Sequence, residues 1–191
     1  MFLVTPALAF LFVFADSITV LLLTEKWLPC VFFMRLSCIG FLFWPFHTTN
    51  LQIITACGRS DVFLILEIIK KCQSAIILLM TYRFGVEVMI ITGTAFAPVC
   101  MFENAWYNRK LINYAPWQQL SDIAPIFGIT IAVSVISCFI TSPIHNIWLK
   151  LITGTITFGA LYVVSTAITH TFPQEIEQII KVIKEKVLKR T

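Results

Sequence analysis

The sequence predicts an all-α fold: a polytopic membrane helical bundle of about six transmembrane helices, with an amphipathic interfacial helix at the C-terminal end. Three observations carry that prediction. The 191 residues are 58% hydrophobic and only 13% charged, whereas soluble domains average about 45–50% apolar and about 25% charged. Mean hydropathy is +0.87. The apolar residues also fall into stretches of about 20, the length that crosses a bilayer core, whereas a β-barrel would need alternating segments of about ten residues.

The first stretch, Phe2–Leu23, runs straight on from Met1. It lacks the basic flank of a signal peptide, and the sequence expectation is a chain that opens partway through a larger protein. The second, Val31–Ile54, contains Arg35 and a polar run of His47, Thr48, Thr49, Asn50 and Gln52 just after Pro45. Proline frees backbone carbonyls, and broken, polar spans line transport pathways. His47, Asn50 and Gln52 are therefore candidate pathway residues, with an ordinary packed histidine as the alternative for His47. Arg35 can snorkel to the interface.

The third stretch, Val62–Tyr82, is the most informative. It carries Glu67, Lys70 and Lys71 near its middle, where each charge costs roughly 2.5–3.5 kcal/mol on insertion scales. Glu67 precedes Lys70 and Lys71 at helical pairing distances. One carboxylate can serve either amine, so one lysine is left without a local counter-charge. Three readings remain open: solvated groups near a cytoplasmic helix end, a cavity lining that binds phosphate, or a pair to another helix. The second would suit an anionic or amphiphilic cargo.

Val86–Tyr107, Ile123–Ile140 and Ile147–Ile168 complete the spans. The connectors are Thr24–Cys30, Cys57–Asp61, Arg83–Gly85, Asn108–Asp122 and Thr141–Asn146. They are short, so consecutive spans should be antiparallel neighbours in one bundle over residues 1–170. Trp27, Trp106, Trp117 and Trp148 fall near span ends, as in an aromatic belt, while Trp44 lies within a span. Pro98 and Pro125 are candidate hinges, and Gly93 with Ala97 offers a small-residue contact face. Glu87, Glu103 and Asp122 are expected to meet water at span ends.

Residues 171–191 change character. Ile176, Ile179, Ile180, Ile183 and Val187 recur at helical spacing, with Lys181, Lys184, Lys186 and Arg190 mostly elsewhere on the wheel. That pattern suits a helix lying on an anionic cytoplasmic leaflet, or one binding a partner. Arg59, Arg109, Lys110 and this tail fall on one side of the six-span arrangement, and Lys26 and Arg83 on the other. The first side should be cytoplasmic, with the C-terminus inside and His145 outside.

Enzyme signatures such as GxSxG, P-loop or HExxH are absent from the sequence, so no catalytic residue and no cofactor are assigned. The six cysteines stand singly, without metal-ligand spacing, so neither a metal nor a disulfide is expected. The net charge of +4 belongs to span ends and tail, and nucleic acid is not an expected partner. Membrane lipid is.

Several strings resemble a known family. Leu21-Leu22-Leu23-Thr24-Glu25-Lys26-Trp27-Leu28-Pro29 is similar to a boundary string of bacterial polysaccharide flippases. So are Gly58-Arg59-Ser60-Asp61 followed by Leu66-Glu67-Ile68-Ile69-Lys70-Lys71, and the connector Tyr114-Ala115-Pro116-Trp117-Gln118-Gln119-Leu120-Ser121-Asp122. The chain thus resembles the lipopolysaccharide O-antigen and exopolysaccharide exporters of the multidrug/oligosaccharidyl-lipid/polysaccharide superfamily. The resemblance implies a carrier in the bacterial inner membrane that moves undecaprenyl-pyrophosphate-linked glycan by alternating access. Lys70, Lys71, Arg59 and Arg35 then become candidates to meet the pyrophosphate or acidic sugars, with Glu67, His47, Asn50 and Gln52 along the pathway.

Thr24 stands where the family string commonly has glycine. Family members are also much longer, so the chain is expected to be a C-terminal portion completed by a missing N-terminal lobe or a second membrane subunit. A multidrug antiporter of the same superfamily is the alternative carrier, favoured by intramembrane carboxylates coupled to a cation. A glycan polymerase or ligase would call for a long outer loop rich in Arg and His, and a non-transporting fragment or assembly partner would suit the short length.

Overall fold

The computed structural model describes residues 1–144 and 146–169, and every regular element among them is helical. The predicted interfacial helix over 171–191 and the outward placement of His145 lie outside the described residues.

The first expected span is two helices, α1 (Val4–Val13) and α2 (Ala15–Leu23), bent by 74° at Phe14. Two contacts fix the bend. Phe14 is 1% exposed, and its ring lies so close to Gly154 that a Cβ there would sit 2.4 Å from it. On the other side, Arg35 donates to the Phe12 carbonyl at 3.3 Å and pairs with Asp16 at 2.5 Å. A buried break in a helix needs such partners for its released carbonyls.

The second span also divides, into α3 (Cys30–Phe41) and α4 (Trp44–Ala56). Pro45 sits in the first turn of α4, where its missing N–H does no harm. Trp44 therefore begins α4 while still lying within the apolar stretch Cys30–Ala56. A 22-residue α5 (Ser60–Thr81) follows, then α6 (Val86–Ile112), α7 (Pro116–Thr141) and α8 (Ile147–Ile168). The Asn146 carboxamide caps α8, accepting from the Trp148 N–H at 3.0 Å.

Helix α6 packs against α3, α4 and α5, while α7 packs against α8 and α1. Leu51, Ile54, Val62 and Leu66 form one apolar core between α4 and α5; Val133, Phe158 and Tyr162 form another between α7 and α8. Among the described residues, four stretches are long and apolar enough to cross a membrane: Cys30–Ala56, Val86–Ile112, Pro116–Thr141 and Ile147–Ile168. The bent α1–α2 pair brings the number to five. Glu67, Lys70 and Lys71 keep α5 out of that set, although at 1.5 Å per residue it is about 33 Å long. Leu79, Met80, Phe139 and Ile168 are each at least 70% exposed, a surface suited to lipid rather than water. The chain is a membrane protein with an all-α bundle fold.

Two expectations change. The connector Asn108–Asp122 shrinks to residues 113–115. Arg109 and Lys110 continue the last turn of α6, where cations oppose the helix dipole. Pro116 starts α7, with the Gln118 side chain accepting from the Ala115 N–H at 2.8 Å. Both segments are polar helix ends that an apolar window overlooks. Secondly, Gly93 does not make a helix contact: a Cβ there meets nothing within 4 Å, and Gly93 and Ala97 instead line a cleft.

Thr24 has φ 81° and ψ 166°, a region that only glycine occupies without strain. The departure from the resembling string thus falls at a position whose backbone suits glycine.

Candidate functional site

The cleft lies between the α3–α4 break, α5 and α6. It has a volume of about 370 Å³, and His47, Glu67, Lys70, Lys71 and Ser74 give it its polar lining. Lys70 lies ten residues into α5, about 15 Å from the helix start at 1.5 Å per residue. That is close to the midpoint of the 22-residue helix, away from either end, and both Lys70 and Lys71 line the cleft.

Within the cleft the charges are unequal. The Lys70 ammonium donates to Glu67 Oε1, and its side chain is 8% exposed. The same Oε1 lies 3.9 Å from His47 Nε2. Lys71 is exposed into the cleft, and among the described residues it has no ion pair or hydrogen bond. The lysine left without a counter-charge is thus Lys71. Aromatic and small residues fill the remaining wall: Phe43, Trp44 and Phe96 beside Gly40, Gly93 and Ala97.

A second polar cluster adjoins the cleft. Asn104 on α6 hydrogen-bonds His47 Nδ1 at 2.9 Å. One turn further along α6, Asn108 donates to the Asn50 side-chain oxygen at 2.7 Å and to its backbone carbonyl at 3.0 Å. Gln119, from the first turn of α7, both accepts from and donates to Asn50, at 2.9 and 3.0 Å. Asn50, Asn104, Asn108 and Gln119 are all at most 4% exposed. Paired amides in a low-dielectric interior tie α4, α6 and α7 together, since each would be an unsatisfied polar group if parted.

The remaining predicted residues fall elsewhere. Asn50 belongs to the amide cluster rather than to the cleft, and Gln52 is exposed on α4. Arg35 braces the α1–α2 bend. Arg59 sits at the α4–α5 turn, with Asp61 at 3.2 Å and the Tyr107 hydroxyl at 3.5 Å. That contact sets Arg59 at the same bundle end as the close of α6, so four proposed cations divide into two in the cleft and two outside it.

Glu103 corrects another expectation: it is half-buried inside α6, accepting from Gln73 at 2.5 Å, rather than meeting water at a span end. Sequence reasoning also passed over Asn104, Asn108 and Gln119. The signal available was the four-residue spacing of two asparagines on one face of α6. At the α6–α7 turn the Tyr114 hydroxyl donates to Asp122. Partial burial and then that hydrogen bond push Tyr114 up to about 12.

An apolar groove of about 430 Å³ lies on the other side of α3, walled by Leu8, Phe12, Ile39, Leu42, Phe127 and Ile131. Among the described residues, no group of three or more His, Cys, Asp or Glu side chains is placed to hold a metal.

These features define a polytopic membrane bundle with an ionic cleft beside the middle of α5. No family model, curated protein or solved structure matches the chain.

Proposed function

We propose that this chain forms one wall of a carrier for lipid-linked polysaccharide, binding the diphosphate of an undecaprenyl-pyrophosphate-linked glycan in the bacterial inner membrane. One observation carries the reading: a cleft halfway along α5 is lined by Lys71, which has no ion-pair partner among the described residues, beside the paired Lys70. An uncompensated ammonium within an apolar bundle is costly unless a ligand anion or water meets it, and lysine is a common phosphate-binding point charge. The apolar groove behind α3 suits the hydrocarbon part of such an amphiphile. The three resembling strings supply the polysaccharide class, and the glycine-like backbone of Thr24 agrees with them. The basic residues Arg59, Arg109 and Lys110 favour a cytoplasmic face for the α4–α5 and α6–α7 turns.

The antiporter alternative gains one observation. Glu67 and Glu103 are carboxylates within helices, and Glu103 Oε2 is buried without a donor. Export separates the two. In a flippase-null bacterium, the chain fused behind a related N-terminal lobe is expected to restore surface polysaccharide, and Lys71→Ala to abolish that rescue. Drug resistance without surface polysaccharide would assign the chain to the antiporters. Neither phenotype from an inserted fusion would favour a non-transporting assembly role.

A further inference from the structure

We propose, resting on the anion-cleft reading above, that His47 is a proton switch governing the second lysine of the cleft. When His47 takes a proton, its imidazolium engages the Glu67 carboxylate and Lys70 turns from Glu67 to join Lys71 on a diphosphate. Anion binding is then coupled to proton uptake.

The geometry points to competition for one atom. Glu67 Oε1 accepts from Lys70, and the same oxygen faces His47 Nε2 at 3.9 Å. As a neutral ring, His47 accepts at Nδ1 from the Asn104 amide and leaves Nε2–H toward Glu67, so Lys70 holds the carboxylate. A proton added to the ring makes both nitrogens donors. A second observation suits that state: buried Asn104 Oδ1 has no donor. Turning the amide over lets Oδ1 accept from Nδ1–H, so the Asn104 contact is kept when both ring nitrogens carry protons.

Every packed element bears on the ring. Helix α4 contributes Trp44, its ring centroid 5.7 Å from that of His47. From α5 come Glu67, Lys70 and Lys71; from α6 come Cys100, Asn104 and Glu103, the last held by Gln73. The α3 side offers only Gly40 and Phe43. The Lys70 ammonium opposes a positive charge on His47, and an anion bound by Lys70 weakens that opposition. Proton and anion therefore assist one another, and the coupling is reciprocal.

The test uses the 191-residue chain in lipid nanodiscs, with farnesyl diphosphate and inorganic pyrophosphate as probes. Titration calorimetry in buffers of different ionisation enthalpy reads affinity and proton uptake together. Between about pH 8 and about pH 5, the range in which histidine titrates, the expected gain in affinity is about tenfold, within the usual span of allosteric couplings. His47→Asn, which keeps an acceptor for Asn104, should retain only the ligand's own titration. Glu67→Gln should bind tightly even at the alkaline end.

Equal pH dependence in wild type and His47→Asn, with Glu67→Gln no tighter than wild type, would overturn the switch and leave the anion site standing. Should His47→Asn fail to insert, Glu67→Gln decides alone by the same criterion. Failure of both probes to bind wild type at any pH would overturn the anion site and the switch together. Both probes binding, the prenyl one more tightly, is the expected pattern; pyrophosphate alone would overturn the lipid-linked reading.

Discussion

Two neighbouring polar regions on α4 and α6 have opposite characters. The Asn50–Asn108–Gln119 cluster is neutral and buried: three helices contribute amides, Asn50 both donates and accepts, and Asn108 Oδ1 alone is left without a donor. The His47–Glu67–Lys70–Lys71 cleft, about one helical turn away along α4, is ionic and open, with one ammonium left over. The difference teaches how a membrane bundle divides its polar residues. Neutral amides can be satisfied inside protein and serve as glue. A charge without an ion-pair partner cannot be satisfied so cheaply within an apolar bundle, and on the proposed function its ligand is an anion.

The comparison can be broken by substitution. Asn50→Leu should be the most damaging to stability, because it strands Asn108 and Gln119 together. A loss of about 2 kcal/mol in detergent unfolding is expected. A loss no larger than that of an exposed site would show that the cluster is not glue. Lys70→Ala should cost about 1 kcal/mol, since it leaves a partly buried Glu67 without its amine. Thr24→Gly acts outside both regions and in the opposite direction: relief of its positive φ should raise stability by about 1 kcal/mol.

Lys71→Ala sharpens the contrast most. Stability should change by less than about 0.5 kcal/mol, as at an unpaired exposed position, while anion affinity falls about tenfold, or roughly 1.4 kcal/mol. Equal losses at Lys70 and Lys71 in an unfolding assay would mean that the cleft, too, is structural.

The smallest effect is at Tyr114. Its folded value of about 12 exceeds the ordinary value of about 10, so the protonated hydroxyl is favoured by folding. That contribution is fully present below about pH 10 and is lost as pH rises through about 12. Ultraviolet absorbance of tyrosinate should show one fewer late-ionising group in Tyr114→Phe than in the unsubstituted chain; an unchanged titration would argue against the Asp122 contact.

Much of the bundle was legible in the sequence because the cost of burying polar backbone in lipid forces apolar helices of a fixed length. Legibility failed where helices ended in polar residues. Arg109, Lys110, Gln118 and Gln119 read as connector by composition, yet the dipole and the Pro116 start make them helical. The site was half legible. Spacing alone showed that Glu67 could hold only one of two lysines, but not which one.

By itself, then, the sequence determined the all-α membrane class, the approximate spans, and the two lysines set beside a single carboxylate in the middle of α5, since periodicity and solvation energies act on local composition. Only the tertiary structure decided that Lys71 is the uncompensated lysine and that Arg35 braces a bend. The same holds for Asn104, Asn108 and Gln119 meeting residues of α4. Each of these depends on which helix faces are brought together, and helix packing joins residues 19 to 69 positions apart in the chain through contacts that no local pattern records.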